Sequence, residues 1–431
     1  MDKNTIINNL MTFLDVSPTC YQAVQYSAEM LEYNGYVKLD KKDNWKLEAN
    51  GKYYIVNNDS ALIAFRIGST DTDSLKFHLI GSHSDSPTFR VKPSSEMPVK
   101  DSYIKLNTEV YGGPILSTWF DRPLSIAGRV FLRGSNTYEP ILKLINIDRN
   151  LMIIPNLAIH MNREINSGYS YNAQVDTLPL LSMINENLEK ENILINLLSE
   201  ELGISKDDIL DFDLYLYARE KAALVGLNKE FISSGRLDNL AMAHASLTAL
   251  IDSGESESTN VVIITDNEEV GSMTRQGADS PMIADTLMRI TLSLTGDIED
   301  YFKALSRSFM ISSDMAHALH PNHPEKSDPT VYPVINGGPV IKIAASKSYT
   351  SDAYSISVYK EICKNAGVPV QEFTNRSDSR GGSTIGPITS KHLDIASVDI
   401  GNPTLSMHSV RELAGVDDHY YVYKSFLEFY S

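Results

Sequence analysis

From Leu237 onward the chain alternates helix-like and strand-like segments, and this alternation limits its fold more than any other feature. LDNLAMAHASLTALID (237–252) has helical spacing of apolar residues, and VVIIT (261–265) is a β-branched strand. SPMIADTLMRITLSLTG (280–296) reads as helix, and SFMISSD (308–314) and PVIKIAA (339–345) as strands. SDAYSISVYKEICKNAG (351–367) is helical, IASVDIGN (395–402) is a strand, and the amphipathic DDHYYVYKSFLEFY (417–430) closes the chain. Such alternation predicts an α/β domain whose mixed, mostly parallel sheet is covered by helices. In sheets of this kind functional residues collect just beyond the carboxyl ends of the strands.

The front of the chain fits the same domain. Residues 4–13 have helical spacing, and Ser17-Pro18 reads as a cap followed by proline at the first position of a second helix, which runs to about Tyr33 and stops at Gly35. YYIVNN, ALIAFRIG and KFHLIGSHSDSP are strand-like. Residues 94–234 break the pattern with Gly112-Gly113-Pro114, Trp119, strand-like SIAGRVFL and LKLINI, and a charged helical stretch at 184–203. The expected organisation is an α/β domain from 1–93 and 235–431, interrupted by an inserted domain at 94–234.

Composition narrows the function. With 38 basic and 55 acidic side chains the net charge is −17, which argues against nucleic acid as a partner. No apolar run is long enough to span a bilayer, and MDKNTIINNLMTFLD lacks the apolar centre of a signal peptide. Two cysteines, Cys20 and Cys363, predict no disulfide framework and fit a reducing cytoplasm.

Candidate chemistry sits at strand ends. His83 and Asp85 follow FHLIGS, a spacing that can supply a metal ligand and the carboxylate that orients it, or simply a polar turn. Asp238 opens a helix, where an aspartate often only complements the helix dipole. Glu268 and Glu269 follow VVIIT, Asp314 ends FMISSD, and His408 follows a later strand. His317, His320 and His323 are denser in sequence but lie in a proline-containing loop and need not converge. His-x-Asp, Asp, Glu-Glu, Asp and His in that order is the pattern of a two-metal exopeptidase. Five ligands with one carboxylate shared serve two ions, and one glutamate is left over. In a strand, neighbouring side chains diverge. A turn at Gly271 would let one glutamate bind metal and the other accept a proton from the attacking water.

SPTCYQAVQYSAEMLEYNGY, GSHSDSPTFRVKP, YGGPILSTWFDRPLSIAGRV, IIPNLAIHMNR, GRLDNL, DNEEVGS, SSDMAHALHPNH, GGSTIGPI and SMHSVREL follow one another along the chain. In these blocks the chain resembles the aspartyl aminopeptidase / aminopeptidase I family of dinuclear zinc metallopeptidases. The resemblance implies two divalent ions per subunit, zinc in the family, although sites of this type also accept manganese or cobalt. It implies that Asp238 bridges both ions, that His83 and Asp314 complete one and Glu269 and His408 the other. Asp85 would orient His83, and Glu268 would be the general base. It further implies that the inserted domain is a β-rich oligomerisation domain, that dimers build a tetrahedral dodecamer, and that His160 reaches a neighbouring subunit's site. Family members that prefer an N-terminal Asp or Glu carry a lysine where Lys342 stands, with Tyr349, Gly382 and Ser383 in the same pocket. The expected substrates are peptides with a free N-terminus. A neutral, Leu-type preference, a related two-metal carboxypeptidase or deacylase, and a self-assembling cargo protein with a lapsed site are the alternatives.

Overall fold

A computed structural model describes residues 1–184 and 192–431; part of the charged stretch expected to be helical, residues 185–191, lies outside the described residues. The chain resolves into two compact units, residues 1–85, 222–407 and 412–431 in one, and 86–221 with 408–411 in the other. This division differs from the 94–234 read from composition. Thr88–Val99 pairs wholly within the second unit's sheet, while Ala223–Val225 and Phe231–Ser234 join a sheet of the first unit through Glu412–Gly415.

Among the described residues, the first unit builds a nine-stranded mixed sheet. The order across it is Val37–Lys38, Lys52–Asn57, Ala61–Arg66, Thr259–Thr265, Phe77–His83, Phe309–Ser313, Ala396–Gly401, Val340–Ile343 and Gln371–Thr374. The run from Thr259–Thr265 to Ala396–Gly401 is parallel throughout. Alternation of side chains along each strand feeds two cores. Leu62, Ala64, Val262, Ile264 and Ile311 enter one core with the helices Lys3–Val16, Leu237–Asp252 and Val416–Phe429. Ile63, Phe65, Val261, Ile263 and Met310 enter the other with the helices Met282–Thr295 and Ile298–Ser306. Apolar residues on both faces explain why VVIIT reads as a continuous run: every residue of Thr259–Thr265 is buried.

The second helix departs from expectation. It runs Cys20–Tyr33, and Thr19, in extended conformation, is its N-cap, so Ser17-Pro18 precedes the helix instead of starting it. The Thr19 hydroxyl donates to Gln22 Oε1 and its carbonyl receives the Ala23 N–H at 3.0 Å.

In the second unit six antiparallel strands lie in the order Ile141–Asn146, Leu124–Leu132, Ile209–Ala218, Thr88–Val99, Tyr103–Tyr111 and Leu180–Met183 among the described residues. Phe89, Trp119, Ile126, Val130 and Leu214 form its core, with Leu194 and Leu198 from the helix Ile193–Leu202. Gly128 is required here. A Cβ on it would lie 2.0 Å from the Asp213 carbonyl oxygen.

Candidate metal centre

Register decides where the polar residues of the first unit meet. Thr265 pairs with His83, and Ser312 with Gly81, so three parallel strands end at one edge. Phe77–His83 is flanked by Thr259–Thr265 on one side and Phe309–Ser313 on the other, and the chain crosses over it between them. That is a topological switch point, where side chains leaving adjacent strands share one crevice. His83, Asp85, Glu268, Glu269 and Asp314 all leave there.

His83 is buried, with Nδ1 3.3 Å from Asp85 Oδ1 and 3.1 Å from the Asp85 carbonyl oxygen. A proton held at Nδ1 by these acceptors leaves Nε2 as the ligand nitrogen. Nε2 lies 3.6 Å from Asp238 Oδ1 and 3.5 Å from Asp314 Oδ1. Those separations are long for hydrogen bonds. They match ligand atoms around a common ion, which a tetrahedral site with bonds of about 2.0 Å holds about 3.3 Å apart. One ligand atom from each of His83, Asp238 and Asp314 lies within 4.8 Å of the others, and the same holds for His83, Glu268 and Glu269.

Asp238 reaches this place because the first turn of Leu237–Asp252 is not helical. Its backbone is extended (φ −81°, ψ 108°), and its N–H donates to Glu412 Oε2 at 2.9 Å. It therefore does not decorate a helix start. The two glutamates occupy a 3-10 turn, Glu268–Val270, between Asn267 and Gly271, both in the left-handed region at φ 62° and 99°. The turn brings both side chains toward His83, which strand geometry would not allow.

The electrostatics call for a cation. Burial works against a charge on His83, but Asp238, Asp314 and Asp85 outweigh it and raise its pKa well above the ordinary imidazole value. Burial, together with Asp314, Asp85 and Asp238, pushes Glu268 up to about 8 despite the opposing effect of His83. Burial and then Asp238 push Glu269 well above the carboxylate range. Carboxylates packed this closely share their charge with protons unless divalent ions replace them. The donor set of one imidazole and several carboxylates suits zinc.

Lys342 is buried on the strand Val340–Ile343, so it is not an exposed strand lysine. Its ammonium lies 3.3 Å from Asp314 Oδ2 and 5.6 Å from the centre of the Tyr349 ring. Tyr349 is itself buried. Gly382 and Ser383 lie on an exposed loop, where the Ser383 hydroxyl donates to the Ser348 carbonyl at 3.2 Å.

A family model described as aminopeptidase I zinc metalloprotease (M18) matches residues 13–430. The chain belongs to the M18 aminopeptidase family. A probable M18 family aminopeptidase 2 of Clostridium novyi is 56% identical over 430 residues, covering 100% of this chain and 99% of that one. Among solved structures, a chain from the Ape4 and Nbr1 complex is similar with a TM-score of 0.95 and 37% identity, covering 99% of this chain and 86% of that one. A structure of the S. cerevisiae mApe1 dodecamer is similar at a TM-score of 0.85 and 26% identity, covering 99% and 96%. Zinc peptidase chemistry thus belongs to the family, and this M18 chain carries a donor set that fits it.

His408 groups with the second unit. There its Nδ1 faces the Gly113 carbonyl at 3.1 Å and its own carbonyl receives the Ile115 N–H at 2.9 Å. With a proton on Nδ1, Nε2 carries the lone pair a metal needs. His160 is exposed in a turn of the second unit. His320 and His323 pack ring to ring at 5.2 Å, and His323 faces Glu325 at 3.3 Å. No metal-capable group among the described residues includes His317, His320 or His323.

Sequence reasoning missed two residues that shape the centre. A Cβ on Gly401 would lie 1.8 Å from the Asp314 carbonyl oxygen, so only glycine lets the two segments run this close. Asp266 accepts the Asn267 N–H at 2.7 Å and so helps form the turn that presents the glutamates. The pattern Asp-Asn before Glu-Glu, residues common in turns, was the available signal for the second.

Proposed function

We propose that this M18 chain removes an N-terminal Asp or Glu from peptides with a free amine, using two divalent ions and Glu268 as general base. The observation that carries the reading is the convergence of His83, Asp238 and Asp314, with Glu268 and Glu269 also brought to His83 by the neighbouring turn. In this reading His83, Asp238, Glu269, Asp314 and His408 would hold the ions. The zinc of the family, when bound, supplies Lewis acidity that polarises the scissile carbonyl and acidifies water. Glu268 then takes a proton from the attacking water and returns it to the departing amine. Asp85 keeps the proton on His83 Nδ1.

The acidic preference rests on Lys342. A buried ammonium can pair with a substrate carboxylate far more strongly than a solvated one. The test is a pair of initial rates on peptides identical except for a first Asp or Leu, with metal-loaded and chelator-stripped protein. Metal-dependent cleavage favouring Asp supports the reading. A preference for Leu removes the acidic pocket, and cleavage of N-acetylated peptides alone points to a deacylase.

Assembly into a tetrahedral dodecamer built from dimers is part of the proposal, supported by the similar mApe1 chain, whose structure is a dodecamer. Leu157, Ile159 and Met161 flank His160 and are 53%, 47% and 69% exposed, apolar area that a neighbouring subunit would cover. Light scattering on the purified protein measures the mass. No helix among the described residues is long and apolar enough to cross a membrane. Cys20 and Cys363 are buried and not joined in a disulfide, in keeping with the proposed cytoplasmic location.

A further inference from the structure

Asp399 is fully buried on the strand Ala396–Gly401, two residues before Gly401, and none of the site chemistry above uses it. Its carboxylate nonetheless gathers two separate segments. Oδ2 accepts the Thr350 N–H at 2.6 Å and the Thr350 hydroxyl at 2.7 Å. Oδ1 accepts the Thr384 hydroxyl at 2.5 Å. Its own N–H donates to Ser351 Oγ at 3.0 Å. The start of the helix Ile385–Thr389 comes close enough that a Cβ on Gly386 would lie 2.6 Å from Oδ2. The loop through Gly381 and Gly382 is exposed, while Thr384 at its base is buried.

One buried carboxylate thus holds both the segment that presents Tyr349 over Lys342 and the loop that carries Gly382 and Ser383. We propose that Asp399 is a positioning residue that sets first-residue selectivity by fixing these two segments against each other. The inference rests on the pocket assignment above. Charge-assisted hydrogen bonds of this kind are strong, and leaving one donor or acceptor unmet in a buried place lets the attached loop move. Asp399 does not touch the substrate. It acts through Tyr349 and the 381–384 loop.

The experiment measures kcat and KM on Asp-first and Leu-first peptides for the wild type and for Asp399→Asn, Thr350→Val, Thr350→Ser and Thr384→Val, with metal content and thermal unfolding alongside. Asp399→Asn is expected to lower the Asp-to-Leu ratio of kcat/KM about tenfold, mainly through KM, with metal content held. Thr350→Val and Thr384→Val each act in the same direction, and Thr350→Ser, which keeps the hydroxyl, restores the wild-type ratio. If Asp399→Asn does not fold, the threonine variants carry the test. Equal losses on both peptides, or a Thr350→Ser variant as impaired as Thr350→Val, overturn the inference. A wild type without acidic preference overturns the pocket assignment instead. The preferred peptide then decides: raised KM in the variants supports positioning by Asp399, and unchanged KM refutes it.

Discussion

The Asp85 carboxylate accepts the Glu268 N–H through Oδ1 at 3.2 Å, and its Oδ2 accepts the Glu269 N–H at the same distance. The residue that orients His83 therefore also holds the turn carrying both glutamates. One side chain sets the position of a ligand and of the proposed base together. Replacing Asp85 by Asn removes an acceptor from one of these groups and the charge facing His83 Nδ1. Losses of this sort cost about 10-fold to 100-fold in metal affinity or activity. Asp85→Asn should lower both, read by metal titration and by kcat.

Glu268→Gln keeps the shape of the turn and removes the proton acceptor. Turnover should fall by about 100-fold to 10,000-fold, while bound metal and thermal unfolding stay near wild type. Near-normal turnover would remove Glu268 from the role of base. Metal analysis and initial rates on one preparation decide it.

Gly401→Ala places a methyl group against the Asp314 carbonyl and so displaces a proposed ligand without altering any donor. Overpacking of this kind costs about 1–3 kcal/mol. Metal affinity should weaken together with stability. A variant that melts early yet holds metal as tightly as wild type would show that Asp314 is not a ligand.

Acid should destabilise the first unit through a buried histidine pair. His244 Nδ1 lies 3.0 Å from His419 Nε2, and both residues are fully buried. Burial lowers His244 to about 3, and burial with the neighbouring His244 lowers His419 well below its usual value. The unfolded chain therefore binds protons that the folded one refuses. Stability from the pair is complete above the unfolded imidazole pKa of about 6.5 and is lost as pH falls toward about 3. The slope is about 1.4 kcal/mol per pH unit for each proton. Urea midpoints at pH 7.5 and 5 should fall by more in the wild type than in His244→Leu/His419→Leu.

Most of the elements were legible in the sequence because the chain repeats one local solution. Its strands are apolar on both faces, its helices on one, and glycine closes several of them, as Gly35 and Gly367 do at φ 82° and 63°. The same local rules failed at Ser17-Pro18, since a threonine beyond the proline offered an extended backbone and took the cap. The dense histidines near 320 belong to no metal-capable group among the described residues, since nearness in sequence does not by itself bring side chains to one centre.

Residue types and order were thus enough to nominate His83, Asp238, Glu268, Glu269 and Asp314. Only the tertiary structure decided that they meet. Segments far apart in the chain come to one edge because the register of three parallel strands ends them together, and register is set by the burial of both sheet faces. The burial of Lys342 beside Asp314 and the gathering of two loops on Asp399 have the same origin. A strand pattern shows which side chains face the interior; what stands opposite them depends on how distant segments pack.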